Sequence, residues 1–265
     1  MRTRPFLGVV VWLVAGFLTI PTLFLIPMSL SGGTTFQFPP DTWSLRWYEN
    51  LVQASEWRDA VFVSLQVAAF ATPLAVVIGT CAAFGLVRLG KRLRALGTAA
   101  FSAPLIVPNI LIALALYGTF LRLGLSGTLL GLVLGQTALA VPFVLIAVLA
   151  RLQGYDRSLT TAGLSLGATP ATVFRTVTFP LILPGIVAGG VFAFVASFDE
   201  LVIALLLQGP GNVTLPVQMF NAVVEAADPT ISAASTVLVV VVSAVVLLVQ
   251  FGWMNRKRQG AGGKA

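Results

Sequence analysis

Two adjacent carboxylic acids, Asp199 and Glu200, lie within an apolar stretch of sequence, VASFDELVIAL. An ionised side chain near the centre of a bilayer costs about 2.5 kcal/mol or more, and such side chains normally face a partner or a water-filled path. Adjacent residues of a helix point about 100° apart, so only one of the pair is expected to face a translocation route. The pattern indicates that at least one carboxylate, with the nearby hydroxyl of Ser197, meets a cationic solute. Two other interpretations are a structural ion pair with an Arg of a neighbouring subunit and a carboxylate that reaches the outer interface.

Other reactive side chains are few. The sequence has no His, and its single cysteine, Cys81, lies in an apolar run, which excludes a disulfide framework and argues against thiolate metal sites and imidazole proton relays. Residues 85–91 (GLVRLGK) have the spacing of a phosphate-binding loop, but Arg92 stands where a Ser or Thr hydroxyl must hold magnesium. Catalytic residues, metals and cofactors are therefore not expected on this chain.

The elements that must position the carboxylates are membrane spans. Of the 265 residues, 57% are hydrophobic and 9% are charged, whereas about a quarter are charged in a typical soluble domain. Several apolar runs are long enough to cross a hydrocarbon core of about 30 Å at about 1.5 Å per residue. They predict a single transmembrane domain, residues 1–265, with six spans at residues 6–30, 60–87, 99–120, 128–149, 185–207 and 231–252. A cleaved signal peptide is the competing interpretation of the first run, which its length disfavours. The predicted fold class is all-α and integral to the membrane.

Six spans place both termini on one side of the membrane, and the basic residues indicate which side. All Lys and Arg residues except Arg46, Arg58 and Arg122 fall on the side of the termini. By the positive-inside rule, the termini and residues 151–184 are cytoplasmic. This topology explains the net charge of +7, so no nucleic-acid partner is expected.

Residues 159–186 are too polar to lie in lipid, although apolar spans flank them. Ser158 could cap a short helix that ends at Gly167, and Thr169 could cap a second helix that begins at Pro170 and continues until Pro180. The pattern predicts two short helices with a bend between them. Such an element presents a shaped surface to another molecule.

This segment resembles the EAA loop of permease subunits of ATP-binding-cassette (ABC) importers, the cytoplasmic coupling element that docks into a groove on the ATPase subunit. The resemblance rests on Leu166-Gly167-Ala168, on Phe174-Arg175 and on the prolines at 180 and 184. The usual Glu-Ala-Ala opening is replaced here by Thr161-Ala162-Gly163. The resemblance implies a type I ABC importer permease fold with six transmembrane helices and this loop between the fourth and fifth. It also implies a set of docking residues, namely Thr161, Ala162, Leu166, Gly167, Ala168, Phe174 and Arg175.

Further motifs are similar to the spermidine and putrescine branch of this permease family, among them Ser197-Phe198-Asp199-Glu200, Leu215-Pro216 and Asp228-Pro229-Thr230. The resemblance implies a multi-pass subunit of the bacterial inner membrane. Its partners would be a second, non-identical permease subunit, two ATPase subunits that hold ATP and magnesium, and an extracytoplasmic solute-binding protein facing residues 31–58 and 208–230. The solute would be a polyamine or another amine-containing molecule. The alternative from another class is an ion-coupled secondary transporter with a proton or sodium site at Asp199, although no internal repeat is found.

Overall fold

The computed structural model describes residues 5–34, 38–226 and 228–261, and the regular structure in these ranges is helical apart from an isolated bridge between Ser31 and Trp43. The helices are α1 (Pro5–Ser29), α2 (Arg46–Gln53), α3 (Ser55–Arg88), α4 (Lys91–Ser102), α5 (Asn109–Arg122), α6 (Leu129–Gln153), α7 (Arg157–Ser165), α8 (Pro170–Val173), α9 (Phe179–Phe198), α10 (Val202–Leu207), α11 (Leu215–Asn221) and α12 (Thr230–Ala261). A 3₁₀ turn covers Ala103–Leu105, and π-helical turns cover Phe174–Thr178 and Ala222–Ala226. The predicted all-α fold class is confirmed.

The chain forms two compact units, one within Met1–Asp59 and Gln218–Phe251 and the other within Ala60–Val217 and Gly252–Ala265. In the first unit, hydroxyl groups of Ser29 and Tyr48 share a hydrogen bond of 2.7 Å, and Asn50 Nδ2 donates to Thr230 Oγ1 at 2.8 Å. These bonds join α2 to the end of α1 and to the start of α12. The second unit contains the carboxylate pair and the two predicted short helices.

Helix α6 is the centre of the second unit. Its packing with α9 depends on glycine, because a Cβ atom at Gly189 would lie 2.7 Å from Cα of Val144, and one at Gly185 would lie 2.9 Å from the carbonyl oxygen of Ala147. A Cβ atom at Gly79 of α3 would likewise lie 2.8 Å from Cβ of Val144. Small residues thus let three helix backbones approach closely, as membrane helices do where they associate.

Five helices in the described ranges are long and apolar enough to cross a membrane, and a sixth span results if α4 and α5 count as one. The predicted third span, residues 99–120, is not one straight helix, because Lys91–Leu105 and α5 meet at an angle of 92°. Pro104 lies in the 3₁₀ turn and Pro108 directly precedes α5. Since a proline nitrogen donates no hydrogen bond, the helical ladder cannot run unbroken through this stretch.

Candidate functional site

The fifth predicted span, residues 185–207, is broken at its two carboxylic acids, because α9 ends at Phe198 and α10 begins at Val202. The Glu200 carboxylate accepts hydrogen bonds from the backbone N–H groups of Val202, Ile203 and Ala204 at 2.9–3.0 Å. The first N–H groups of a helix have no acceptor within the helix. A carboxylate at this end satisfies them and places its charge at the positive end of the helix dipole. Glu200, which is 6% exposed, is therefore the structural cap of α10.

Asp199 has the opposite environment. Its side chain is exposed, and no Lys or Arg of the described ranges forms an ion pair with it. The expectation that the two carboxylates differ by about 100° on one helix is wrong, because they occupy the break between two helices. The break buries Glu200 and leaves Asp199 exposed.

Ser197 is buried, and its hydroxyl donates a hydrogen bond of 2.6 Å to Oε1 of Gln136 in α6. Gln136 is 2% exposed and Ser197 is 3% exposed. The sequence analysis overlooked Gln136, although a lone amide in the apolar run of α6 is a signal that a polar partner must lie nearby. This hydrogen bond fastens the end of α9 to α6 just before Asp199.

The segment from α7 to α8, hereafter the α7–α8 segment, has the bend that the sequence predicts. Gly167 has a φ of +82°, a left-handed conformation that glycine adopts without steric cost. Thr169 Oγ1 accepts the N–H of Thr172 at 3.3 Å, and Pro170 occupies the first turn of α8. Local cap and turn chemistry is therefore sufficient to specify the bend.

Two details of this segment differ from the prediction. The cap of α7 is not Ser158 but Asp156, whose carboxylate accepts the backbone N–H of Ser158 at 2.9 Å. This bond, together with one from the Ser158 hydroxyl, lowers the pKa of Asp156. The second helix does not stop at Pro180, because α8 continues through the π turn into α9, with Phe179 N–H bonded to the carbonyl of Phe174. Pro180, which has no N–H to donate, follows this π turn after Phe179.

Most of the predicted docking residues lie at the surface of the α7–α8 segment. Leu166, at the bend, is 88% exposed. The Phe174 ring is 42% exposed and also contacts Phe84 of α3 and Phe179, with ring centroids 5.8 and 6.1 Å apart. The remaining predicted residues are either exposed (Thr161, Ala162, Gly167, Arg175) or half-buried (Ala168).

The inner face of the segment is held by close contacts. A Cβ atom at Gly163 would lie 2.9 Å from Cγ2 of Val173, a residue that is 3% exposed. The Tyr155 hydroxyl lies 2.6 Å from Thr160 Oγ1 and 3.4 Å from Thr178 Oγ1. The two short helices are thus packed against each other and bonded to the base of α9, so that the outward face has a fixed shape.

The matching family model covers residues 75–258 and describes a binding-protein-dependent transport system inner membrane component. This chain belongs to that family. The permease is 36% identical over 230 residues to the putrescine transport system permease protein PotI of Escherichia coli strain K12, an alignment that covers 84% of this chain and 81% of the relative. It is 29% identical over 243 residues to the spermidine/putrescine transport system permease protein PotC of Haemophilus influenzae, over 90% of this chain and 93% of the relative.

The fold is also found in a solved structure. A chain in the crystal structure of a bacterial ABC transporter involved in import of the acidic polysaccharide alginate superposes on the permease with a TM-score of 0.72 and 15% identity, covering 94% of this chain and 97% of that chain. The permease is therefore a multi-pass inner-membrane subunit of an ABC importer, and ATP hydrolysis belongs to separate subunits.

Proposed function

We propose that this permease, paired with a second and non-identical permease subunit, forms the path for a polyamine such as putrescine or spermidine. The observation that carries the proposal is the exposed Asp199 carboxylate at the end of α9, which has no cationic partner in the described part of the chain. An ammonium group that leaves water needs an anionic partner to compensate its lost hydration. The putrescine and spermidine/putrescine permeases among the relatives support this substrate class.

The three predicted path residues take different roles in this proposal. Asp199 contacts an ammonium group of the solute, since its carboxylate is open. Glu200 stabilises the start of α10 through three backbone N–H groups, and Ser197 fixes the end of α9 to Gln136. Their buried hydrogen bonds hold the helix break in place, and the break exposes the Asp199 carboxylate to the solute.

The α7–α8 segment is proposed as the surface that docks to an ATPase subunit. The distribution of basic residues supports a cytoplasmic position for this segment and both termini, with residues 31–58 and 208–230 facing the solute-binding protein outside. From Pro170 to Phe198 the helix is continuous over 29 residues, a length of about 43 Å. A displacement of the docking surface, when ATP binding closes the ATPase pair, would therefore reach the base of Asp199 through one helical element.

The decisive experiment is uptake of labelled putrescine and spermidine by the complete importer with Asp199→Asn. Uptake should fall about tenfold or more, which corresponds to about 1.4 kcal/mol, while the complex still assembles and its basal ATP hydrolysis is unchanged. Asp59→Asn is the matched control, because it removes an exposed carboxylate that already pairs with Arg58 at 3.6 Å. Unchanged uptake in Asp199→Asn would disprove the contact. An assembled wild-type importer that moves neither polyamine but moves another amine would disprove the substrate class alone.

A further inference from the structure

Helix α4 takes no part in the carboxylate site or in the α7–α8 segment. It follows α3 after a short turn at Leu89 and Gly90, and it meets α5 at 92°. Helix α3 is long and apolar enough to cross a membrane and ends at Arg88, so the start of α4 lies near the membrane surface at which α3 ends. This position at the end of a span, together with the sharp bend before α5, fits an interfacial helix.

The charges around the start of α4 lack counter-ions. Arg88, Lys91 and Arg92 are exposed, and in the described part of the chain no ion pair involves any of them. The sequence contains no Asp or Glu between Asp59 and Asp156. Three like charges this close repel one another unless anions from another molecule lie nearby.

Exposed leucines accompany these cations. Leu89, Leu93 and Leu96 are 43%, 59% and 68% exposed. The opposite side of α4 packs on the protein, where Gly97 lies against the side chain of Leu86. The outer face of α4 is therefore apolar with basic residues at one end, a combination that suits neither water alone nor acyl chains alone.

We propose that α4 lies on the inner leaflet, where Arg88, Lys91 and Arg92 bind the phosphate groups of anionic phospholipids and Leu93 and Leu96 enter the acyl region. Long basic side chains reach headgroups while their stems stay against apolar surface. Anionic lipid supplies negative charge in the same plane as apolar chains, which matches the order of charges and leucines on this helix. The surface is distinct from the docking segment and from the solute path.

The test uses the complete importer, purified in detergent, stripped of lipid and titrated with phosphatidylglycerol or phosphatidylcholine. Native mass spectrometry should show that the wild-type complex retains phosphatidylglycerol several-fold better than phosphatidylcholine. The triple variant R88Q/K91Q/R92Q should lose this preference. The control R256Q/K257Q/R258Q removes the same number of charges near the C-terminus and should keep it.

Three results would overturn the proposal. The wild-type complex could bind both lipids equally, or the triple variant could keep its preference for the anionic lipid. The triple variant could also lose an ATPase or permease subunit while its lipid preference stays, which would assign the surface to a protein partner. Assembly of each variant with its ATPase subunits verifies that the change has not altered membrane insertion.

Discussion

The hydroxyl of Ser197 donates to Oε1 of Gln136 at 2.6 Å, so α9 and α6 are joined two residues before the exposed carboxylate of Asp199. A buried hydroxyl and a buried amide in an apolar surrounding each need a partner. Their hydrogen bond holds the last turn of α9 against α6, next to Asp199.

Gln136→Leu should destabilise the purified complex by about 1–3 kcal/mol, because the Ser197 hydroxyl loses its acceptor. Adding Ser197→Ala should recover part of that loss, since no polar group is then left unpaired, and thermal unfolding of the three variants measures the coupling. Gln153→Leu, at the exposed end of α6, is the control and should change little. Strictly additive effects of the two substitutions would contradict a direct bond.

Glu200→Ala should lower stability by about 2 kcal/mol or more, because three N–H groups at the start of α10 lose their acceptor. Glu200→Gln keeps one acceptor oxygen and should lie between Glu200→Ala and the wild type. Asp199→Asn should leave the unfolding temperature unchanged while it abolishes most uptake. If Glu200→Ala unfolds at the wild-type temperature, the carboxylate is not the cap of this helix.

Leu166→Asp should prevent the ATPase subunit from purifying with the permease. A leucine that is 88% exposed contributes nothing to the folding of its own chain, but a charge at the centre of an interface is costly to desolvate. The permease itself should insert and unfold as before. Leu45→Asp, at a residue that is 59% exposed before α2, is the control, and equal ATPase recovery in both variants would disprove the docking surface.

Gly163→Ala should weaken coupling between ATP hydrolysis and uptake, since its Cβ atom would meet Val173 Cγ2 at 2.9 Å and force α7 away from α8. Overpacking of this kind costs about 1–3 kcal/mol. Val173→Ala in the same chain removes the clashing methyl groups and should restore the ratio of solute imported to ATP hydrolysed. If the double variant is as poorly coupled as Gly163→Ala, the contact between residue 163 and Val173 is not the cause of the coupling defect.

Elements specified by local chemistry could be predicted from the sequence. Long apolar runs indicated α1, α3, α6 and α12, and the bend at Gly167 with its cap at Thr169 followed from residue types alone. That only one of the two adjacent carboxylates faces the translocation route stays a prediction, but the reason given for it was wrong. A continuous helix was assumed where a helix break lies.

The missed features depend on hydrogen bonds and helix geometry that residue types alone do not indicate. Neither glycine nor proline marks the helix break at Asp199. The break depends instead on the buried Glu200 carboxylate, which accepts hydrogen bonds that helical carbonyls would otherwise accept. Pro180 was taken as the end of a helix, but the preceding π turn allows the helix to continue. The prolines at 104 and 108 indicated an interruption of the helix, but they did not indicate the size of the bend, which is 92°.

The glycine contacts between α6 and α9 limit how this subunit can move. With Gly189 so near Cα of Val144 and Gly185 near the carbonyl of Ala147, neither helix can slide or roll on the other without a collision of main-chain atoms. We expect the pair to move as a single body during a transport cycle, so that a change of access state takes place at joints elsewhere in the importer.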